Sequence, residues 1–261
     1  MRKSLLSIAV LSALSLPTLS FAADAVAAAA EPAPAYTVSY NVGLYSQYIF
    51  RGLTQTNEDP AVQGGVDYTH TSGFYAGAWA SNISWLKDAA AYSSSSLELD
   101  LYGGYANTIA ETGVGYNVGV LQYIYPGDVM SGVKKAETTE VYGSLSYKWL
   151  AAKLSVVASD GAFGFRNADG SWYAELNGNF PIMDSGITAN LHLGHQEFSG
   201  QGTTVFDYTD WKLGATKSWA NGVNLGAYYT DTTAKDAGYV VAATNKNIGD
   251  SAFIVFVQKT F

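Results

Sequence analysis

From Tyr36 to the C-terminus the side chains alternate in character with period two, segment after segment. In the first, Tyr36, Val38, Tyr40, Val42 and Leu44 are apolar, and Thr37, Ser39, Asn41 and Gly43 between them are small or polar. Successive residues of a strand point to opposite faces, so such a segment has one greasy face and one wet face. The pattern recurs over 62–69, 97–102, 114–120, 140–149, 187–194, 211–219 and 223–230, and more weakly over 74–83, 153–159, 172–180 and 252–261. These segments predict about twelve strands, within a range of ten to fourteen, each near the ~9–11 residues of a tilted membrane strand.

The connections alternate in length. Residues 71–73, 107–112, 150–152, 181–186 and 220–222 are short; 51–60, 84–96, 126–138, 160–171, 196–207 and 232–250 are long. Short turns on one side and long loops on the other are the habit of outer-membrane barrels. The expected fold is therefore all-β, a transmembrane antiparallel up-and-down barrel of about twelve strands. An even strand number would leave both termini periplasmic. A secreted β-sandwich also alternates, with its apolar face inward, but it does not account for the alternating loop lengths or for the aromatic end of the chain, Phe261. Lys217 and Lys259 fall on the outward parity, where lysines at a rim can snorkel. Only 14% of residues are charged, against about 25% in soluble domains. There is no cysteine, so an exported chain like this needs barrel closure rather than disulfides for stability.

Arg2 and Lys3, the apolar run 5–19 and Ser20-Phe21-Ala22 have the form of a secretory signal peptide cleaved after Ala22. Residues 23–35, Ala-rich with Pro32 and Pro34, read as a periplasmic lead-in, and 36–261 as the barrel. Loss of Arg2 and Lys3 takes the formal charge from −8 to −10. That balance argues against a nucleic-acid partner, which needs a basic surface.

Between Tyr48 and Asn82 the sequence contains YIFRGLTQT (48–56), DPAVQGG (59–65), SGFYAG (72–77) and WASN (79–82). This block resembles a proteobacterial family assigned as porins, the TorF-like family. Beyond residue 82 only the general rhythm and length match. The resemblance implies an outer-membrane protein assigned as a porin and brings no catalytic residues or solute with it.

The polar parity should face the lumen. Its pore-lining candidates are Arg51, Asp67, Glu98, Asp100, Glu140, Lys148, Glu175 and Lys212, with Gln47, Lys153, Asn177 and His192 beside them. Acids slightly outnumber bases, which points to a weak cation preference. Arg51, one of three arginines, is expected at the end of the first strand facing Asp67, either as a constriction residue or in an ion pair at the rim. His192 and His195 are three apart and so face opposite sides of a strand; no metal site or cofactor is expected. The functional expectation is passive diffusion of small polar solutes or ions, not catalysis. The expected partners are those solutes, outer-membrane lipids and lipopolysaccharide, and the barrel assembly machinery reading the C-terminal strand. One alternative is a barrel enzyme acting on lipids, of phospholipase or lipid A-modifying type. His70 or His195 would then work with Ser72 or Ser199, but there is no G-x-S-x-G elbow. The other alternative is a structural or adhesion barrel working through its loops.

Overall fold

The computed structural model describes residues 34–200 and 203–261; the expected leader and residues 23–33 of the lead-in lie outside them. Twelve strands form the wall: β1 (Tyr36–Tyr45), β2 (Ala61–His70), β3 (Phe74–Asn82), β4 (Leu97–Ile109), β5 (Val114–Ile124), β6 (Thr138–Tyr147), β7 (Leu150–Val157), β8 (Trp172–Pro181), β9 (Ile187–Glu197), β10 (Tyr208–Ser218), β11 (Val223–Thr232) and β12 (Ala252–Thr260). Each pairs antiparallel with the next, and β1 pairs with β12 to close the barrel. Closure leaves no open sheet edge, which a lipid environment demands. Phe261 donates its backbone N–H to the Tyr40 carbonyl at 2.9 Å, just past the last strand.

Five short connections, the start of β1 at Tyr36 and the end of β12 at Thr260 lie at one end of the barrel, and six long connections at the other. Two boundaries differ from the sequence expectation. The sixth strand turns at Lys148 and Trp149 rather than at 150–152, because Lys148 takes the left-handed conformation (φ 54°) of a tight hairpin and Leu150 already resumes the outward parity. Lys148 is thus exposed on a turn, its Nζ over the Tyr147 ring, and does not line the lumen. The first strand stops at Tyr45, so Arg51 is not on the wall at all.

The outward parity is apolar around the circumference. Leu44, Val62, Leu101, Val118, Leu145, Leu154, Leu193, Leu213 and Phe253 are all exposed. A continuous apolar belt of this kind has no place in water and fits lipid. Toward the short-turn end it is edged by aromatic pairs with ring centroids 5.1–6.1 Å apart: Tyr36 with Tyr68, Phe74 with Tyr105, and Trp149 with Phe180. Lys217 and Lys259 do snorkel there, their ammonium groups reaching the carbonyls of Ser185 and Asn221.

Inside, tyrosines lie flat over glycines of the neighbouring strand: Tyr75 over Gly104, Tyr102 over Gly77, and Tyr142 over Gly119. A Cβ on Gly119 would stand 2.3 Å from the Tyr142 hydroxyl and 2.7 Å from the Gly103 carbonyl, whereas one on Gly143 would meet nothing closer than 3.9 Å. Overpacking of this kind costs about 1–3 kcal/mol. Gly119→Ala should lower the unfolding free energy of the barrel in vesicles by that amount, and Gly143→Ala should leave it unchanged; equal effects would refute the packing role of Tyr142.

Candidate functional site

Between β1 and β2 the chain does not arch over the barrel mouth. Residues 46–60 turn inward, and Tyr48 becomes fully buried. Ile49–Phe50 pairs with Leu53–Thr54 in a miniature hairpin whose two central residues are Arg51 (φ 48°) and Gly52 (φ 79°). Two successive positive φ values are what a type I′ hairpin turn requires. The loop is sewn to its surroundings: Gln55 N–H donates to the Tyr48 carbonyl (2.8 Å), Thr54 N–H to the Ile248 carbonyl (2.8 Å), and Ser84 N–H to the Gln55 carbonyl (2.8 Å). A Cβ on Gly52 would fall 2.7 Å from the Asp210 Cβ and 2.5 Å from the Thr232 Cγ2, so only glycine lets the tip approach β10 and β11.

The tip is held by charge. Arg51 Nη2 donates to both oxygens of Glu140 (2.9 and 2.8 Å) and Nη1 to Gln196 Oε1 (2.8 Å), tying the loop to β6 and β9. The Gln196 amide is oriented by its own bond to the Trp172 carbonyl (3.0 Å). The guanidinium carbon lies 4.2 Å from the Tyr173 ring centroid and 4.8 Å from that of Phe50. Tyr48 donates to Glu98 Oε1 at 2.8 Å, and burial pushes its phenol well above the ordinary tyrosine value, keeping it a donor. Phe163, from the loop between β7 and β8, packs on Phe50 and Tyr123 and closes the apolar side of the plug.

Two walls of different character face this tip. On β4 and β6, Glu98, Asp100 and Glu140 are each about 1% exposed. Asp100 has no hydrogen-bond donor among the described residues. On β7 to β10 lie Lys153 and Glu175 (3.4 Å), Asn177 donating to Glu175 Oε2 (2.8 Å), and His192 with Nδ1 2.7 Å from Asn177 Oδ1 and Nε2 3.0 Å from Asp210 Oδ1. A cavity of about 50 Å³ remains between the tip and this second wall. Nearer the short-turn end the lumen is lined mainly by neutral polar groups. Asn190 bridges Asn179 and Thr216, and Tyr75 joins Tyr142 and Asn117. Tyr102 donates to Asp67 there, so Asp67 is not the partner of Arg51.

Of the eight residues singled out in the sequence, Asp67, Glu98, Asp100, Glu140, Glu175 and Lys212 point inward from the wall, Arg51 enters from the loop, and Lys148 stays outside. Tyr48, Tyr173, Gln196 and Asp210 were not singled out. Asp210 and Gln196 could have been reached by extending the parity of their strands by one or two residues; nothing local marks Tyr48 as buried in a lumen. His70 Nδ1 lies 2.6 Å from Ser72 Oγ on an exposed turn, without a carboxylate partner among the described residues. His195 faces outward against Thr209 and Trp172.

Over residues 29–261 the sequence matches a family described as bacterial protein of unknown function, Gcw_chp. The chain belongs to the Gcw_chp family. That match adds nothing to the TorF-like resemblance. No curated protein matches this Gcw_chp chain in sequence. In structure it is similar to the KdgM porin, at 8% identity over 85% of this chain and 99% of that one, with a TM-score of 0.53. A KdgM porin in complex with disordered oligogalacturonate matches at 8% identity over 86% and 98%, TM-score 0.50. An outer membrane channel from Pseudomonas putida F1 matches at 16% identity over 89% and 100%, TM-score 0.45. At 8% identity the likeness to the KdgM porins is one of fold.

Arg51 and Glu140 are both buried, with side chains 7% and 1% exposed. Removing one member of such a pair strands the other charge and costs about 3–5 kcal/mol, whereas replacing both with apolar groups costs far less. Arg51→Ala should therefore destabilise the Gcw_chp barrel more than Arg51→Met combined with Glu140→Met, as read from denaturant midpoints. A neutral Arg51→Ala would show that the tip is not anchored there.

Proposed function

We propose that this protein is an outer-membrane channel for passive diffusion of small polar solutes, narrowed from within by its own loop 46–60. The observation that carries this reading is a lumen lined by polar and charged side chains inside a closed barrel with an apolar outer belt, its bore reduced at one level by a hairpin tip. The fold shared with porins and the TorF-like block at 48–82 support it. In this reading the short-turn end and both termini face the periplasm and the long loops face outward. The apolar belt sits among lipids and lipopolysaccharide, and the assembly machinery reads the strand that ends at Phe261. The cation preference expected from the sequence has lost its basis, because Glu98, Asp100 and Glu140 lie beneath the loop rather than along open space. The lipid-enzyme alternative gains nothing from His70 and Ser72, which lack a carboxylate to orient them.

Protein lacking residues 1–22, refolded into a planar bilayer, should give discrete conductance steps. Deletion of residues 49–54 should raise the unitary conductance by roughly twofold or more, since bore sets conductance in a barrel of fixed strand number. A folded barrel that stays silent with and without the hairpin would refute the channel.

A further inference from the structure

The second wall of the cavity holds two lysines, Lys153 and Lys212, and two carboxylates, Glu175 and Asp210, and only one of the lysines is paired. Asp210 Oδ1 meets His192 Nε2 at 3.0 Å, and Oδ2 accepts the Tyr173 hydroxyl at 2.9 Å. Glu175 Oε1 lies 3.4 Å from Lys153 Nζ, and Oε2 accepts the Asn177 amide at 2.8 Å. All four oxygens are engaged. Lys212 also lines this cavity, and among the described residues its ammonium makes no hydrogen bond and no ion pair. In register it stands directly across from His192, a second basic group, rather than from an acid. Its nearest aromatic support is the Tyr228 ring, 5.2 Å from Nζ. An ammonium carries three donors that need acceptors. On the loop side the Arg51 guanidinium is already engaged by Glu140 and Gln196.

We propose that Lys212 forms an anion subsite inside the lumen, taking the carboxylate or phosphate oxygens of a small solute. A chain with a formal charge of −8 thus places one unpaired ammonium in the space left beside its loop. The inference rests on the channel reading only for how the solute arrives and leaves. A charge-assisted hydrogen bond to an oxyanion is about twice as strong as a neutral one, so losing it should weaken binding about tenfold.

The test has two arms on the same refolded protein. Inorganic phosphate is titrated into the detergent-solubilised barrel by calorimetry, and bilayer reversal potentials are measured in a KCl gradient. Variants are Lys212→Met, Lys212→Gln as a polar second choice, and Lys217→Gln at the rim as control, each checked for heat-modifiable gel mobility. The expected result is phosphate binding weakened about tenfold in both Lys212 variants and unchanged in Lys217→Gln, with an anion-biased reversal potential that falls in the Lys212 variants. Absence of phosphate binding to a folded, conducting barrel, or equal binding in the Lys212 variants, would overturn the subsite and leave the channel standing. A silent barrel that binds phosphate through Lys212 would support the subsite and overturn the channel.

Discussion

Backbone hydrogen bonding in an apolar medium is the constraint on which the rest of this structure depends. Every strand must be paired on both sides, and pairing β1 with β12 achieves this without covalent cross-links in a chain that has no cysteine. Closure then fixes the meaning of parity. A one-residue register slip would turn Leu191 and Leu193 inward and His192 outward, so the alternation that specifies the strands also specifies the lumen.

Within that wall, loop 46–60 converts a barrel into something narrower. Its shape follows from local chemistry: a two-residue turn at Arg51 and Gly52, a tip small enough to pass β10 and β11, and a guanidinium that finds Glu140 and Gln196 on strands far away in sequence. The loop also sorts the lumenal charges. It covers the acids of β4 and β6 and leaves the mixed wall of β7 to β10 facing the remaining cavity. The nominal charge of the chain is therefore a poor guide to the charge a solute would meet.

The barrel was legible because its signal is periodic and repeated. Strand number, the alternation of short and long connections, and the inward direction of Asp67, Glu98, Asp100, Glu140, Glu175 and Lys212 all follow from counting by twos. What escaped was non-periodic. Tyr36 to Leu44 alternates cleanly, and Tyr48 and Phe50 continue the apolar parity, so alternation alone carries the strand to Arg51. The chain instead leaves the wall after Tyr45, because the buried cluster of Tyr48, Ile49, Tyr123 and Tyr125 offers those side chains a better place than the rim. Lys148 is misplaced in the same way, by a turn that begins two residues earlier than its composition suggests. The Arg51–Glu140 pair joins residues 89 apart and has no local trace in the sequence.

Whether the tip of loop 46–60 occupies the lumen is the claim everything functional here hangs on. It is tested most directly by Gln196→Cys, which puts the chain's only thiol on the wall where the Arg51 guanidinium is seated, at a position 2% exposed. If the loop is seated as described, that thiol should be shielded from maleimide in the folded barrel and become reactive once residues 49–54 are deleted. A thiol labelled equally fast in folded barrels with and without residues 49–54 would place the loop elsewhere and contradict the account.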